Sequence, residues 1–549
     1  MSFFTRFAAI AFMVAPAACA HADAGEERRP VVDAPAGSIR GVELNGIEAF
    51  KGIPYAAPPV GDLRWKPPAP AAQWEGELAA VEYGPACVQF RADPTSIYAE
   101  NLKAISEDCL SLNIWKPENA KDAPVFVWIH GGALRGGANS LSMYDGAALA
   151  ESGLVVVSIN YRLGALGYLA HPELSAESPD NVSGNYGHLD QIAALEWVQQ
   201  NIEAFGGDPD NVTIAGESAG ALSVMYLMTS PPARGLFHKA IAQSAYMIST
   251  PALKEARYGV PPAEAVGLYI ADKLGAKNIA ELRAMDADTV IKESVKAGYV
   301  AWGVVDGVVL PDEIVNVFDH GEQAPVPIIA GFNSGEIRSL RALLPKAPKN
   351  AKEYEAEIRA RYGELAEAFL KQYPPENVEE SMLATTRDAM YGWTSERLAR
   401  NQTEIGQAGY LYIFDHGYPA ADEAGLHAFH ASEIPFVFGT IQETTPTWPD
   451  IPDTPAEKRM SDAMLNYWVS FARDGVPSAP GEHEWRPYSA DEAYMLFADA
   501  PEGRATHLLP GMYELHEEIM CRRRAAGIAW NWNVGVASPP LPPQVQECK

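Results

Sequence analysis

The chain has 549 residues, 47% of them hydrophobic, with 23 Tyr, 18 Phe and 12 Trp, which suits a large packed core and excludes a mainly disordered chain. Its formal net charge of −29 argues against nucleic acid and anionic membrane surfaces as partners; the acidity serves solubility or steers cationic ligands. Length alone would allow about three or four domains, but 45 Gly and 43 Pro are spread along the chain rather than gathered into linkers.

The N-terminus reads as a secretory signal. Arg6 precedes an apolar run from Phe7 to Ala15, and small residues then permit cleavage after Ala20 or Ala22. That run is too short to span a bilayer, and no later segment reads as transmembrane, so stable membrane insertion is not expected. The expected organisation is a signal at 1–22 and a single domain at 23–549 with a Pro-rich C-terminal tail, exported to a periplasmic or extracellular space. Cys19 offers a lipid anchor as an alternative, although Pro16 stands where such sites favour leucine. Export leaves Cys87, Cys109, Cys521 and Cys548, an even set in an oxidising setting. Proximity along the chain favours Cys87–Cys109 and Cys521–Cys548. There is no CxxC or HExxH pattern, so no metal site is expected.

Alternation around Asn45-Gly46 predicts a hairpin within 38–60, and an irregular Pro- and Trp-rich stretch follows to about Gly84. Asp108–Trp115 reads as a strand. Pro124–Ile129 (PVFVWI) is an apolar strand that ends at His130-Gly131-Gly132-Ala133, and Leu154–Ile159 (LVVVSI) is the next. Helical spacing runs from His188 to Phe205. A β-branched run, Val212–Ala215, then enters Gly216-Glu217-Ser218-Ala219-Gly220, with a helix expected from about Ala219 to Thr229. Lys239–Gln243 opens another strand. Ala252–Val317 is mostly helical, Val326–Gly331 is a strand, and helices dominate from Ala351 to about Ile405. Tyr410–Phe414 is a strand, a loop carries His427 and His430, and Met460–Arg473 is an amphipathic helix. Strands alternating with helices predict an α/β fold with a large, mostly parallel sheet, helices on both faces and helical insertions.

VTIAGESAG, from Val212 to Gly220, carries the strongest chemical signal. A strand that stops on a serine, flanked by glycines and followed at once by a helix, lifts the hydroxyl clear of the sheet edge. Backbone N–H groups at the helix start then lie beside it. A serine needs a base to take its proton, and the base needs an orienting acid, in chain order Ser, acid, His. Glu336, just past the Val326–Gly331 strand, suits the acid, with Asp306, Asp319 and Asp415 as competitors. His430 and His427 suit the base about equally. Donors for a developing oxyanion are expected from Ala219 and from the His130–Ala133 loop.

These motifs together resemble the type B carboxylesterases, the family of cholinesterases and bacterial para-nitrobenzyl esterases, whose members have the α/β-hydrolase fold. The resemblance covers about Gly37 to Phe471. It rests on the serine-site frame from Phe205 to Gly220, on Glu107–Asn113 (EDCLSLN), on Phe50–Trp65 (FKGIPYAAPPVGDLRW), on Asn160–Leu169 (NYRLGALGYL) and on Gly184–Gln191 (GNYGHLDQ). It implies hydrolysis of a small-molecule carboxylic ester through an acyl-enzyme, with no cofactor. The block Phe429–Gly439 (FHASEIPFVFG) resembles that around the family's catalytic histidine and favours His430, while GFNSGE places the acid on Glu336. Gly335 and Ile337 depart from the acidic-Glu-Gly usual there. The resemblance further implies Gly132, Ala133 and Ala219 as oxyanion donors, Glu217 and Ser244 as supporting residues, and Cys87–Cys109 as the family's first disulfide. An amidase or acyltransferase would use the same triad. A non-catalytic adhesion relative is disfavoured because nucleophile, acid and base are all present. Arg135, close behind the oxyanion loop, is a candidate for receiving a carboxylate-bearing ester, and Arg338 and Arg341 follow the acid; arginines paired at an acidic surface are the plainer expectation.

Overall fold

Buried strands send alternate side chains to opposite faces, and each face needs its own apolar cover. In the computed structural model of the chain, which describes residues 29–489, 491–504, 507–530 and 533–548, this principle organises an eleven-stranded sheet. The expected signal, with Arg6 and Cys19, lies outside the described residues. From Gly207–Glu217, for example, Val212 and Ile214 enter one core while Ala215 enters the other. Val125, Val127 and Ile129 of the neighbouring strand Ala123–Ile129 likewise face the first core, and Phe126 and Trp128 the second. The helix Ala219–Thr229 covers the first face, and Pro455–Asp474 covers the second.

The strand order, from one edge, is Pro501–Arg504, Tyr494–Phe497, Gly409–Phe414, Ile328–Asn333, Lys239–Gln243, Gly207–Glu217, Ala123–Ile129, Val155–Ile159, Ser111–Pro117, Ile47–Pro54 and Val42–Leu44. Gly207–Glu217 is the middle strand. Pairing is parallel from Tyr494–Phe497 through Val155–Ile159 and antiparallel at both flanks. Glu217 lies opposite Gln243, Gln243 opposite Gly331, and Asn333 opposite Phe414. The C-terminal ends of the central strands therefore line up along one edge, where open α/β sheets place their ligands.

Several sequence expectations shift. The strand expected at Asp108–Trp115 begins three residues later, at Ser111. Tight turns at the disulfide hold the preceding residues: Cys109 N–H donates to Glu107 O (3.0 Å) and Ser111 N–H to Cys109 O (2.7 Å). After Arg473, where no element was expected, the chain forms further regular structure. It supplies the edge strands Tyr494–Phe497 and Pro501–Arg504 and the helix Met512–Ala525. The tail then returns onto the helical insertion, where Leu541 N–H donates to Arg361 O (2.7 Å), and it closes through Cys521–Cys548. Among the described residues no helix is long and apolar enough to cross a membrane.

Candidate active site

Five non-glycine residues at this edge hold positive φ: Ala133 (56°), Leu134 (55°), Ser218 (55°), Ser244 (51°) and Ala431 (70°). Such conformations cost roughly 1–3 kcal/mol each and persist only where the surroundings over-determine them. For Ser218 the surroundings are identifiable. Its N–H donates to Gln243 O (2.9 Å), and the chain turns at once into the helix Ala219–Thr229. Gly216 and Gly220 make the turn possible: a Cβ on Gly220 would lie 2.1 Å from Ile129 O, and one on Gly216 would lie 2.5 Å from the Gly220 carbonyl carbon. Gly131 packs on the other side, its would-be Cβ 3.2 Å from Ser218 Cβ.

The loop after Ala123–Ile129 is clamped from beneath. His130 stacks on Tyr161 at 4.6 Å, the Tyr161 hydroxyl donates to His130 O (2.8 Å), and Gly132 O accepts from the N–H groups of Arg135 (3.1 Å) and Gly136 (3.0 Å). Burial depresses His130 to about 4, so it stays neutral. The N–H groups of Gly132, Ala133 and Ala219 donate to no protein acceptor among the described residues. They are the donors expected to receive an oxyanion, on both sides of Ser218.

Glu336 and His430 meet because their segments run side by side. Gly335 bridges Phe429 and donates its N–H to Ala428 O (2.8 Å). A Cβ on Gly335 would lie 2.7 Å from Leu426 O, so the acidic residue usual in the resembling family has no room here. Glu336 is fully buried. Its Oε1 accepts from Ser244 Oγ (2.6 Å) and from Asn333 N–H (2.8 Å), which leaves Oε2 to His430 Nδ1 in a short hydrogen bond. On the far side of the ring, His430 Nε2 lies 3.1 Å from Glu217 Oε1. Burial opposes charge on His430, but the Glu217 and Glu336 carboxylates and the Glu336 hydrogen bond outweigh it and raise the imidazole above its usual value. Burial also raises Glu217, against the pull of His430.

The competing candidates are committed elsewhere. His427, three residues before His430, faces the surface between Asp422 Oδ1 (2.8 Å) and Asp415 Oδ1 (3.2 Å). Asp306 caps the N–H groups of Val308, Val309 and Leu310, and Asp319 pairs with Arg397 and Arg524. Arg338 and Arg341 are tied to Glu380 and Glu379, whereas Arg135 lies exposed over the Phe90 ring.

Sequence reasoning missed other residues of the site. Glu433, fully buried, accepts from Asn333 Nδ2 (2.6 Å) and Gln243 Nε2 (3.0 Å), and Gln243 Oε1 accepts from Trp468 Nε1 (2.9 Å). Glu433 stood in view within FHASEIPFVFG, as an acid in an apolar block. Tyr98, in the loop closed by Cys87–Cys109, donates from its hydroxyl to His430 O (2.9 Å) and sits 2.8 Å from Ser339 Oγ. Nothing local in the sequence marks it.

A doubly covered parallel sheet, a strained serine on its middle strand, and an acid–imidazole pair at the same edge together define a hydrolase of the α/β class. Comparison with known proteins agrees. The Carboxylesterase family model matches residues 28–512, and the chain belongs to that family. It is 36% identical over 503 residues to a fumonisin B1 esterase of Sphingopyxis macrogoltabida, covering 88% of this chain and 89% of the relative. It is 34% identical to a para-nitrobenzyl esterase of Bacillus subtilis, covering 84% and 94%. The solved structure of a Geobacillus stearothermophilus carboxylesterase superposes with a TM-score of 0.75 at 33% identity, covering 90% of this chain and 99% of that one. The fold is that of the α/β-hydrolases, and the protein is a carboxylic ester hydrolase acting on small-molecule esters.

Proposed function

We propose that the protein is an exported serine esterase working through Ser218, His430 and Glu336. The observation that carries this proposal is the buried Glu336–His430 pair, with His430 Nε2 left to the side where Glu217, the neighbour of Ser218, lies. Ser218 attacks the ester carbonyl as His430 Nε2 takes its proton. The Gly132, Ala133 and Ala219 N–H groups receive the oxyanion, a stabilisation of about 3 kcal/mol per donor. His430 then protonates the leaving alcohol, and a water hydrolyses the acyl-Ser218 by the same route. Ser244 and Asn333 hold Glu336 so that it orients the imidazole, and Glu217 tunes it. This sequence of steps uses side chains and backbone alone. Export is supported by the disulfides Cys87–Cys109 and Cys521–Cys548.

Ser218→Ala is the test. We expect ester turnover to fall by ~10⁴-fold or more with circular dichroism unchanged; turnover near wild type would refute the assignment. Transfer to amides or to acceptor alcohols would use the same groups, and measuring ester against matched amide turnover separates those activities.

A further inference from the structure

The three arginines near the site differ in one respect. Arg338 and Arg341 are neutralised at the surface by Glu380 and Glu379, each at 2.7 Å. Arg135 has no carboxylate within ion-pair distance among the described residues, and its guanidinium rests 5.2 Å from the centre of the Phe90 ring. The backbone beneath it is pinned. Arg135 N–H donates to Gly132 O and Phe90 N–H to Arg135 O, both at 3.1 Å, while Gln89 makes two hydrogen bonds to Gly137, at 2.9 and 3.0 Å. Arg135 is two residues beyond Ala133, so their Cα atoms are at most about 7 Å apart. The Arg135 backbone is thereby fixed next to the candidate oxyanion loop, with its guanidinium over Phe90.

The second observation concerns two phenols. Tyr391 sits 5.4 Å from the His430 ring and 6.0 Å from Tyr246. They are only 2% and 6% exposed, and neither hydroxyl is hydrogen-bonded to another of the described residues, which leaves both open to a ligand. Tyr391 is carried on Asp388–Gly392, a π-helical turn, a rare geometry that recurs at functional sites. Burial raises both phenols above the usual tyrosine range, so both remain O–H donors; the Arg135 charge reaches Tyr246, and the Glu336 and Glu217 charges reach Tyr391. Two open phenol donors beside His430, one of them within reach of the Arg135 charge, suit a single anionic acceptor. A carboxylate has the geometry to take a guanidinium and a phenol together.

We infer that the esters this enzyme prefers carry a free carboxylate, which Arg135 and the Tyr246 and Tyr391 hydroxyls receive while Ser218 attacks the ester carbonyl. This rests on the role proposed for Ser218. The overall charge of −29 does not favour the approach of an anion, so the preference belongs to the bound state rather than to the encounter rate.

The experiment compares kcat/KM for 4-nitrophenyl hydrogen glutarate and 4-nitrophenyl valerate, which share a leaving group and chain length but differ in charge. In Arg135→Gln the anionic-to-neutral ratio should fall about tenfold or more, as expected when one charge-assisted partner is lost, and Arg135→Lys should restore part of it. Tyr246→Phe should lower the ratio about threefold and provides the same readout should Arg135→Gln fold poorly. A ratio unmoved in both Arg135→Gln and Tyr246→Phe overturns the inference while leaving the esterase assignment intact. Failure of the wild type to turn over either ester would overturn both.

Discussion

His427 and His430 stand three residues apart on one loop, and their surroundings have little in common. The His427 side chain is 40% exposed and is clasped by two surface aspartates, Asp415 and Asp422. The His430 side chain is 7% exposed, lies between two buried glutamates, and packs beside Tyr391 and Tyr98. Both imidazoles are raised, His427 to about 8, chiefly by its hydrogen bond to Asp415, and His430 by carboxylates that overcome burial. A similar direction of shift thus arises from opposite circumstances. At His427 solvent screens the interaction and the result is local stability; at His430 the low-dielectric setting makes each charge and hydrogen bond count toward chemistry.

The contrast is broken most severely at His430. His430→Gln should lower kcat by ~10³–10⁴-fold, whereas His427→Gln should leave it within about twofold; steady-state kinetics on one ester checks both. A smaller loss is expected from Tyr98→Phe, which keeps the ring but removes the donor to the His430 carbonyl. One such hydrogen bond is worth about 1 kcal/mol, or roughly fivefold in kcat, with KM and melting temperature nearly unchanged. Equal kcat would mean that Tyr98 does not help to hold the base.

Glu217→Gln sharpens the electrostatic half of the comparison. A general base works only when neutral, and the Glu217 carboxylate favours protonated His430. Removing it should move the acid limb of the kcat/KM profile to lower pH; an unmoved or raised limb would contradict the arrangement. The smallest effect belongs to stability. Because the folded value of His427 lies above the ordinary 6.5, its contribution is fully present below about pH 6.5 and is lost as pH rises through about 8. His427→Gln should therefore be less stable than wild type at pH 6 by under ~1 kcal/mol, with the gap closing toward pH 9 in denaturant titrations.

The fold was legible where one local rule acted alone. The largely apolar runs at Ala123–Ile129, Val155–Ile159 and Gly409–Phe414 read as doubly buried strands, and Gly216 and Gly220 mark a turn that tolerates no Cβ. Legibility failed where tertiary context decides. Periodicity left His427 and His430 equivalent, because only the docking of Gly335 against Ala428 and Phe429 brings one of them to Glu336. Tyr98 is distant in sequence from His430 and is brought there by the loop that Cys87–Cys109 closes. Tyr391 reaches His430 from a π turn that leaves no compositional trace. Beyond Arg473 no strand was expected, because Tyr494–Phe497 and Pro501–Arg504 are only four residues each, too short for a pattern to emerge.

The most direct test of the account is to capture the acyl group. With 4-nitrophenyl acetate under pre-steady-state conditions, the wild type should release a burst of 4-nitrophenol of one equivalent per active site, and acid quench followed by peptide mass spectrometry should find the acetyl mass on the peptide containing Ser218. A burst with the acetyl group on another residue, or turnover that survives in Ser218→Ala, would contradict it.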